Sequence, residues 1–298
     1  MSSLENVLYF QAGLGLLANM LLFFCIFIII GHRPKPMDLI SSQLTFIHIM
    51  MFLTGGNIWL SDIFESLNIN NDIKCKATFY ISRVMRGLSI CITCLLSVFQ
   101  AVTISPSTSL LAKFKQKRKK YIINALFYIW FFNLSVSSDM LFNIGSFTNA
   151  SETKQMKVTK YCSLFPMNSI ISGLIYTLST SRDVFLVAVM LTTSVYIMNI
   201  LHRHQRQYKH LHGISCLRTS PEQKATQTIL LLVVFFVVMY WVDFIISFTS
   251  FLLCMYDPVV LNVQKFVIYA YPTITPLIQI SSDKRIINVL KSLQSKCH

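Results

Sequence analysis

Four ionisable side chains inside long apolar stretches are the residues of this sequence best suited to chemistry. Arg83 and Arg86 stand three positions apart, so a helix would carry both on one face. Asp183 and Asp243 lie in two other apolar stretches. Charges inside a membrane are costly and are functional candidates, and two cations on one face suit an anionic or strongly polar ligand. The sequence therefore predicts a ligand-binding site that contains Arg83, Arg86, Asp183 and Asp243.

Internal pairing of these charges is the alternative, because a buried charge costs far less when an opposite charge compensates it. This alternative leaves open whether the arginines bind a ligand or only hold helices together. The candidate partners for the two arginines are Asp62 and Glu65, which close the second apolar stretch, together with Asp183 and Asp243.

The motifs of common enzyme classes and metal sites are missing from the sequence. It has no Gly-rich phosphate loop, no His-Glu-x-x-His and no Gly-x-Ser-x-Gly. Four histidines crowd one segment, but the basic residues between them would repel a cation. They are His202, His204, His210 and His212. We therefore predict a protein that is not an enzyme and that uses no cofactor and no metal ion.

The elements that must position these residues are long apolar helices. Hydrophobic residues make up 54% of the 298 residues, and charged residues 13%, about half of the 25% usual in a soluble domain. A helix crosses a bilayer with about 20 mostly apolar residues. The sequence predicts an all-α membrane protein, with one seven-transmembrane helix bundle over residues 1–298. The helices are expected at about 7–30, 39–64, 77–104, 121–142, 167–201, 223–255 and 262–281, with a short cytosolic tail at 282–298.

The basic residues predict the orientation of the bundle. The net charge is +14, which in a soluble protein would indicate a nucleic-acid partner. With the N-terminus outside, seventeen basic residues fall in cytosolic segments and five in outer loops, as the positive-inside rule requires. We therefore predict a multi-pass plasma-membrane protein with an extracellular N-terminus and a cytosolic C-terminus. Its basic inner face is expected to contact membrane lipids or a partner protein, and not nucleic acid.

Features of the predicted outer loops agree with this orientation. Cys75 and Cys162 both fall outside, where a disulfide can form and persist. Asn149 begins an Asn-Ala-Ser sequon in the long outer loop and is the expected glycosylation site. The sequon at Asn133 falls inside the fourth helix and is expected to stay unused.

A polar residue in the first predicted helix and two prolines in the last are expected to affect how these helices pack. Asn19 lies in the middle of the first helix beside small residues and is expected to hydrogen-bond a neighbouring helix. Pro272 and Pro276 stand four positions apart in the last helix, and each removes a backbone donor. A kinked last helix suits a protein that switches conformation.

Seven helices, an outside N-terminus and a Cys75–Cys162 pairing describe a G-protein-coupled receptor. The rhodopsin-like signatures are largely absent, since the third helix ends without Asp-Arg-Tyr and the seventh lacks Asn-Pro-x-x-Tyr. The segments found instead resemble the vomeronasal type 1 receptor family, in order, over essentially the whole chain. These segments are Tyr9–Asn19, His32–Pro36 with Asp38–Ile40, Phe99–Pro106, Ser220–Thr226 and the helix with Pro272 and Pro276.

The resemblance implies a pheromone receptor of vomeronasal sensory neurons that couples to an inhibitory-class heterotrimeric G protein. The ligands it implies are small volatiles or steroid derivatives, some of them sulfated. Asp243, in Trp241-Val242-Asp243, departs from the family pattern, which leaves the role of this acid open. The basic residues expected to contact the G protein are Lys117, Arg118, Arg203 and Arg206.

Two other functions fit parts of the sequence. A bitter-taste receptor departs from the rhodopsin pattern in similar ways, but that family generally lacks the bridge expected between Cys75 and Cys162. A small-molecule transporter would need internal repeats or an ion site at the midplane of the membrane, and the sequence shows neither.

Overall fold

The computed structural model describes residues 2–32, 35–55, 71–105, 118–146, 156–157, 162–164, 169–212, 221–253 and 258–296. This part of the chain is almost entirely helical, as its composition predicts. The longer helices, in chain order, are α1 (Ser2–His32), α2 (Pro36–Gly55), α3 (Asn71–Ile104), α4 (Arg118–Val136), α5 (Ser169–His212), α6 (Pro221–Leu253), α7 (Pro258–Ser282) and α8 (Lys284–Lys296). A 3-10 turn, Ser137–Asp139, and a single helical turn, Met140–Asn143, follow α4.

Six helices in the described part of the chain, α1 to α6, are long and apolar enough to cross a membrane. They overlap the first six spans that the sequence predicts, although residues 56–64 of the second span lie outside the described residues. The helix α7 covers the seventh predicted span and is 25 residues long, but it does not belong to the six. Polar residues such as Gln264 and Lys265 lower its hydropathy.

Helical structure extends beyond the predicted spans most clearly at the end of α5 and in the tail. The helix α5 continues to His212, past the expected end at residue 201, because a helix can leave the membrane with its backbone hydrogen bonds intact. The tail contains α8, which the sequence analysis did not predict. Apolar residues at the i, i+4, i+7 spacing of a helix face could have revealed it. They are Ile286, Leu290 and Leu293.

Three short strands interrupt the all-helical pattern on the predicted outer side. They are β1 (Ile144–Ser146), β2 (Met156–Lys157) and β3 (Cys162–Leu164). The strand β3 lies between the other two and pairs antiparallel with both. Strands of two or three residues leave too little alternation for a sequence to predict them.

The disulfide between Cys75 and Cys162 is present, which confirms the expected bridge. It joins the first turn of α3 to β3, with the two Cα atoms 5.7 Å apart. Cys75 and Cys162 are buried with Ile144 of β1 in a small apolar cluster, which Phe79 and Met140 border. The bridge therefore fixes the small sheet against the outer end of α3.

The helix α3 is the most buried helix of the bundle, and α2, α4, α5 and α6 pack against it. In the apolar part of α3, 72% of the residues are buried, whereas in the apolar part of α4 the share is 17%. One core cluster joins α2, α3 and α4 around Leu44 and Leu88, and a second joins α3, α5, α6 and α7 around Met190. Large apolar side chains such as Phe27 and Phe127 are exposed on the outside, where a membrane protein contacts lipid.

The helix α1 packs against α2 and α7 through small and polar residues. Asn19 is fully buried and donates its side-chain amide to the carbonyl oxygens of Gly15, at 2.7 Å, and Pro272, at 2.9 Å. The second bond crosses from α1 to α7 and confirms the expected interhelical hydrogen bond of Asn19.

Candidate functional site

A cavity between α2, α3, α6 and α7 is the candidate site in the described part of the chain. Its volume is about 50 Å³, and its walls are mainly apolar and aromatic. Small-molecule sites commonly combine such walls with a few polar groups that orient the ligand. The residues that line it are Met51, Arg86, Ser89, Ile90, Phe236, Met239, Tyr240, Asp243, Val267, Ile268, Tyr271 and Pro272.

An ion pair between Arg86 of α3 and Asp243 of α6 supplies the charged groups of this cavity. The Arg86 guanidinium donates through Nη2 to Oδ2 of Asp243. The other carboxylate oxygen, Oδ1, accepts from Gln264 Nε2 of α7 at 3.0 Å, and the same nitrogen lies 2.7 Å from the Ser247 hydroxyl. One carboxylate therefore ties together α3, α6 and α7.

Burial makes this pair energetically important. The Asp243 side chain is 5% exposed, whereas Arg86 keeps 44% of its side-chain area accessible. Only the carboxylate of this pair is buried, so removing Arg86 would leave a buried charge without its partner, which is costly, whereas Arg86 itself stays partly accessible. Internal pairing, the alternative left open by the sequence, is thus what the structure shows for Arg86, and Asp243 is the partner.

Arg83 points to a different part of the bundle from Arg86, although both stand on α3. Its Nη1 lies 3.5 Å from Oδ2 of Asp139, in the 3-10 turn after α4. Arg83 does not belong to the described lining of the cavity. The sequence analysis did not consider Asp139, although an acid at the outer end of the fourth span, near the level of Arg83, could have been included. The other two candidate partners, Asp62 and Glu65, lie outside the described residues.

Asp183 of α5 contacts the cavity through a tyrosine. Tyr240, which lines the cavity, donates its hydroxyl to Oδ2 of Asp183 at 2.7 Å. The neighbouring Arg182 holds Oδ1 of the same carboxylate at 2.7 Å. Asp183 therefore orients the Tyr240 ring and its hydroxyl on the cavity wall without lining the wall itself.

Arg182 also contacts Asn133, the asparagine of the sequon in α4. Its Nη1 donates to Oδ1 of Asn133 at 3.3 Å, and Nδ2 of Asn133 donates to the Ile129 carbonyl oxygen at 2.9 Å. Asn133 is fully buried, in keeping with the expectation that this sequon stays unused. Asn149, the expected glycosylation site, lies outside the described residues.

Two aromatic residues of the cavity lining, Phe236 and Tyr271, pack together, and His48 contacts Tyr271 from α2. The Tyr271 ring of α7 meets the Phe236 ring of α6 at 4.6 Å between centroids and the His48 ring of α2 at 5.4 Å, both close to edge-on. The Tyr271 hydroxyl lies 3.3 Å from that of Thr93. The sequence analysis did not select these residues, because aromatic side chains are frequent throughout the apolar spans and carry no local signal there.

Comparison with known proteins decides the family. A model of the "Vomeronasal organ pheromone receptor family" matches residues 2–292. The chain belongs to this family. Vomeronasal type-1 receptor 100 of Rattus norvegicus is 39% identical over 98% of this chain and 90% of its own length. Vomeronasal type-1 receptor 51 of Mus musculus is 38% identical over 98% and 92%, and receptor 90 of Rattus norvegicus 41% over 97% and 94%.

Membership of the vomeronasal type 1 receptors fixes the broad class of this protein. It is a multi-pass receptor of the plasma membrane in a pheromone receptor family, and not a member of an enzyme family. The six apolar helices and the Cys75–Cys162 bridge agree with this class. The alternative of a bitter-taste receptor is set aside by the family match.

The predicted cytosolic end of this vomeronasal receptor carries an open groove on α5. The groove has a volume of about 470 Å³, and Arg203 and Arg206 are exposed in it. Its other lining residues are Tyr196, Asn199, Ile200 and His202. Of the remaining expected G-protein contacts, Lys117 lies outside the described residues, and the description of Arg118 is limited to its backbone at the start of α4.

The helix α8 is attached to the same end of the bundle by a forked ion pair. Arg285 donates through Nη1 and Nη2 to the two carboxylate oxygens of Asp38, in the first turn of α2, at 3.0 and 2.9 Å. These hydrogen bonds raise the pKa of the Arg285 guanidinium above its ordinary value. Apolar contacts complete the attachment, since Ile286 is buried against Leu22 and Ile26 of α1.

Proposed function

We propose that this receptor binds a small volatile or steroid-like molecule in the cavity between α2, α3, α6 and α7, and signals to an inhibitory-class G protein. The observation that supports the binding site is the Arg86–Asp243 pair, a polar contact set among apolar and aromatic walls. A mainly apolar molecule with one polar end matches such walls. Arg86, Asp243 and, through Tyr240, Asp183 are the proposed ligand-site residues.

The small volume of the cavity suggests how binding leads to signalling. Pockets for drug-sized ligands usually hold roughly 300–1,000 Å³, which is far more than the 50 Å³ present here. A ligand of that size must therefore move side chains or helices as it enters. Since Asp243 ties α3, α6 and α7 together, such a movement favours a different arrangement of these helices.

The proposed topology has seven membrane helices, with α7 as the seventh, an extracellular N-terminus and a cytosolic C-terminus. The bias of basic residues toward one side supports it, as does the bridge beside the short sheet at the opposite side. Glycosidase treatment should increase the gel mobility of the wild type and leave that of Asn149→Gln unchanged. An N-terminal epitope should be stained on intact cells, and staining that requires permeabilisation would contradict this orientation.

The proposed G-protein contacts are the basic residues Lys117, Arg118, Arg203 and Arg206. The exposure of Arg203 and Arg206 beside the α5 groove supports this assignment. The double change Arg203→Glu/Arg206→Glu should abolish signalling while ligand binding is retained. Lys291→Glu, a matched charge reversal at an exposed residue of α8, should keep signalling. Equal losses in both variants would contradict a specific contact at α5.

Expression in cells tests the receptor assignment itself. The surface-expressed chain is exposed to panels of volatiles and of neutral and sulfated steroids, first with a promiscuous G protein and then with endogenous inhibitory-class G proteins. We expect a response to members of these panels and its loss after pertussis toxin. Silence of a receptor shown to be at the surface would count against the proposed ligands, and a toxin-resistant response against the proposed G protein.

A further inference from the structure

Asp243 is already paired with Arg86, one of the two arginines that the sequence analysis expected to bind a ligand. Both of its carboxylate oxygens are engaged, Oδ2 by Arg86 and Oδ1 by Gln264. Arg86 and Asp243 are the charged members of the described cavity lining, so the net charge of that lining is zero. The second arginine of the predicted face, Arg83, pairs with Asp139 and does not belong to this lining.

An anionic ligand would meet an electrostatic cost at this pair in either of two ways. If it replaced Asp243 at Arg86, the buried carboxylate would keep only the neutral Gln264 amide as a partner. If it shared Arg86 with Asp243, two anions would face each other across one cation in surroundings of low dielectric. Both arrangements weaken the binding of an anion relative to that of a neutral molecule.

A neutral ligand with an oxygen acceptor avoids this cost. A guanidinium has five N–H donors, and 44% of the Arg86 side-chain area remains accessible beside the ion pair. Arg86 can therefore donate to a carbonyl or hydroxyl oxygen without releasing Asp243. The apolar walls, such as Met51, Ile90 and Phe236, then receive the rest of the molecule.

We propose that Asp243 sets the charge selectivity of the cavity, so that it prefers a neutral apolar molecule with a hydrogen-bond-accepting oxygen to the corresponding anion. This inference rests on the proposed function, in that it takes this cavity to be the ligand site. It differs from the sequence-based expectation of an anionic ligand, because that expectation counted the two arginines without their partners. The ion pair supplies the missing partner of Arg86.

The test compares two matched probes on the purified full-length receptor in a neutral detergent. The probes are a hydroxysteroid and its sulfate ester, and the dissociation constant of each is measured. The wild type should bind the neutral steroid at least about tenfold more tightly than the sulfate. Asp243→Asn keeps the shape and an acceptor oxygen but removes the charge, and should shift the ratio toward the sulfate by about tenfold or more. Adding Arg86→Gln to Asp243→Asn should cancel this shift.

Asp139→Asn is the matched control, since it removes the same charge from the partner of the arginine outside the described cavity lining. Its ratio of dissociation constants should equal that of the wild type. Size-exclusion profiles verify that each variant is folded. If Asp243→Asn does not fold, Asp243→Ser takes its place, with the same expected shift.

Three outcomes overturn the inference: tighter wild-type binding of the sulfate, an unchanged ratio in the Asp243 variant, or an equal shift in Asp139→Asn. Failure of every variant to bind the two probes also overturns it, because the inference takes this cavity to be the site that accepts such molecules. Signalling in cells separates this result from the proposed function. If the receptor signals but Asp243→Asn leaves the ratio of dissociation constants unchanged, the proposed function stands and the inference fails. If the ratio shifts but the receptor does not signal, the proposed function is contradicted.

Discussion

The side-chain amide of Asn19 donates to the Pro272 carbonyl oxygen, which has no backbone donor because Pro276 lacks an N–H. Nδ2 of Asn19 lies 2.9 Å from the Pro272 carbonyl oxygen. In a regular α-helix this oxygen would accept from the backbone N–H four residues later, and the residue there is Pro276, which has none. The four-residue spacing of the two prolines therefore creates an unpaired carbonyl inside the membrane, and α1 supplies its donor.

We predict that Asn19→Ala destabilises the receptor by about 1–3 kcal/mol, because a buried carbonyl loses its partner. Pro276→Ala restores an intrahelical donor for the same oxygen, so the cost of Asn19→Ala should be smaller in that background. Thermal unfolding of the purified single and double variants measures both costs. An Asn19→Ala penalty of the same size in the wild-type and Pro276→Ala backgrounds would contradict this account.

Arg83 is predicted to act through Asp139 and to leave ligand selectivity unchanged. The pair is 3.5 Å apart and partly exposed, with 30% of the Arg83 side chain accessible, so its coupling energy should be about 1 kcal/mol or less. Unfolding of Arg83→Gln, Asp139→Asn and the double variant gives that coupling. Agonist potency should change by less than about threefold. A larger loss confined to anionic agonists would show that Arg83 contacts the ligand.

Attachment of α8 is predicted to depend on the forked pair between Asp38 and Arg285. Asp38→Asn should cost about 2 kcal/mol, because two charge-assisted hydrogen bonds become weaker. Hydrogen exchange in α8 should accelerate accordingly. Arg285→Lys should act in the same direction, since an ammonium cannot form the fork. Lys284→Ala, at the neighbouring exposed position, is the control, and faster exchange in that variant alone would refute the role of the pair.

The Cys75–Cys162 bridge is predicted to be required for a stable outer end. It closes a separation of 87 residues, and its loss should cost about 2–5 kcal/mol and reduce surface expression. Cys75→Ser, Cys162→Ser and the double change should have equal effects, because each removes the same bond. Cys94→Ala changes a buried free cysteine and should have a smaller effect. Additive losses in the double variant would argue against a shared bridge.

The apolar helices could be predicted from the sequence, but the pairing of residues between them could not. Apolar length predicted six spans that the structure contains, and the two outer cysteines predicted the bridge. The same reasoning placed Arg83 and Arg86 on one face of α3. Which acid each one meets depends on how α4 and α6 are rotated and tilted, and a single sequence carries no record of that.

Two details show this limit. Asp243 was one of four acids proposed as partners for the arginines, whereas Asp139, the partner of Arg83, was not among them. Asn19 was expected to bond a neighbouring helix, but its acceptor is a backbone carbonyl that becomes available through proline spacing on α7. In both cases the residue type indicated the interaction, and the packing of distant helices selected the partner.

The central claim is that the ligand occupies the cavity between α2, α3, α6 and α7, and a pair of neighbouring substitutions tests it most directly. Met239 lines the cavity, whereas Val238 is 51% exposed on the outside of α6. Met239→Trp fills the cavity and should reduce agonist potency by at least about tenfold at normal surface expression, while Val238→Trp should change it by less than about threefold. Equal potencies for the two tryptophan variants would contradict the claim.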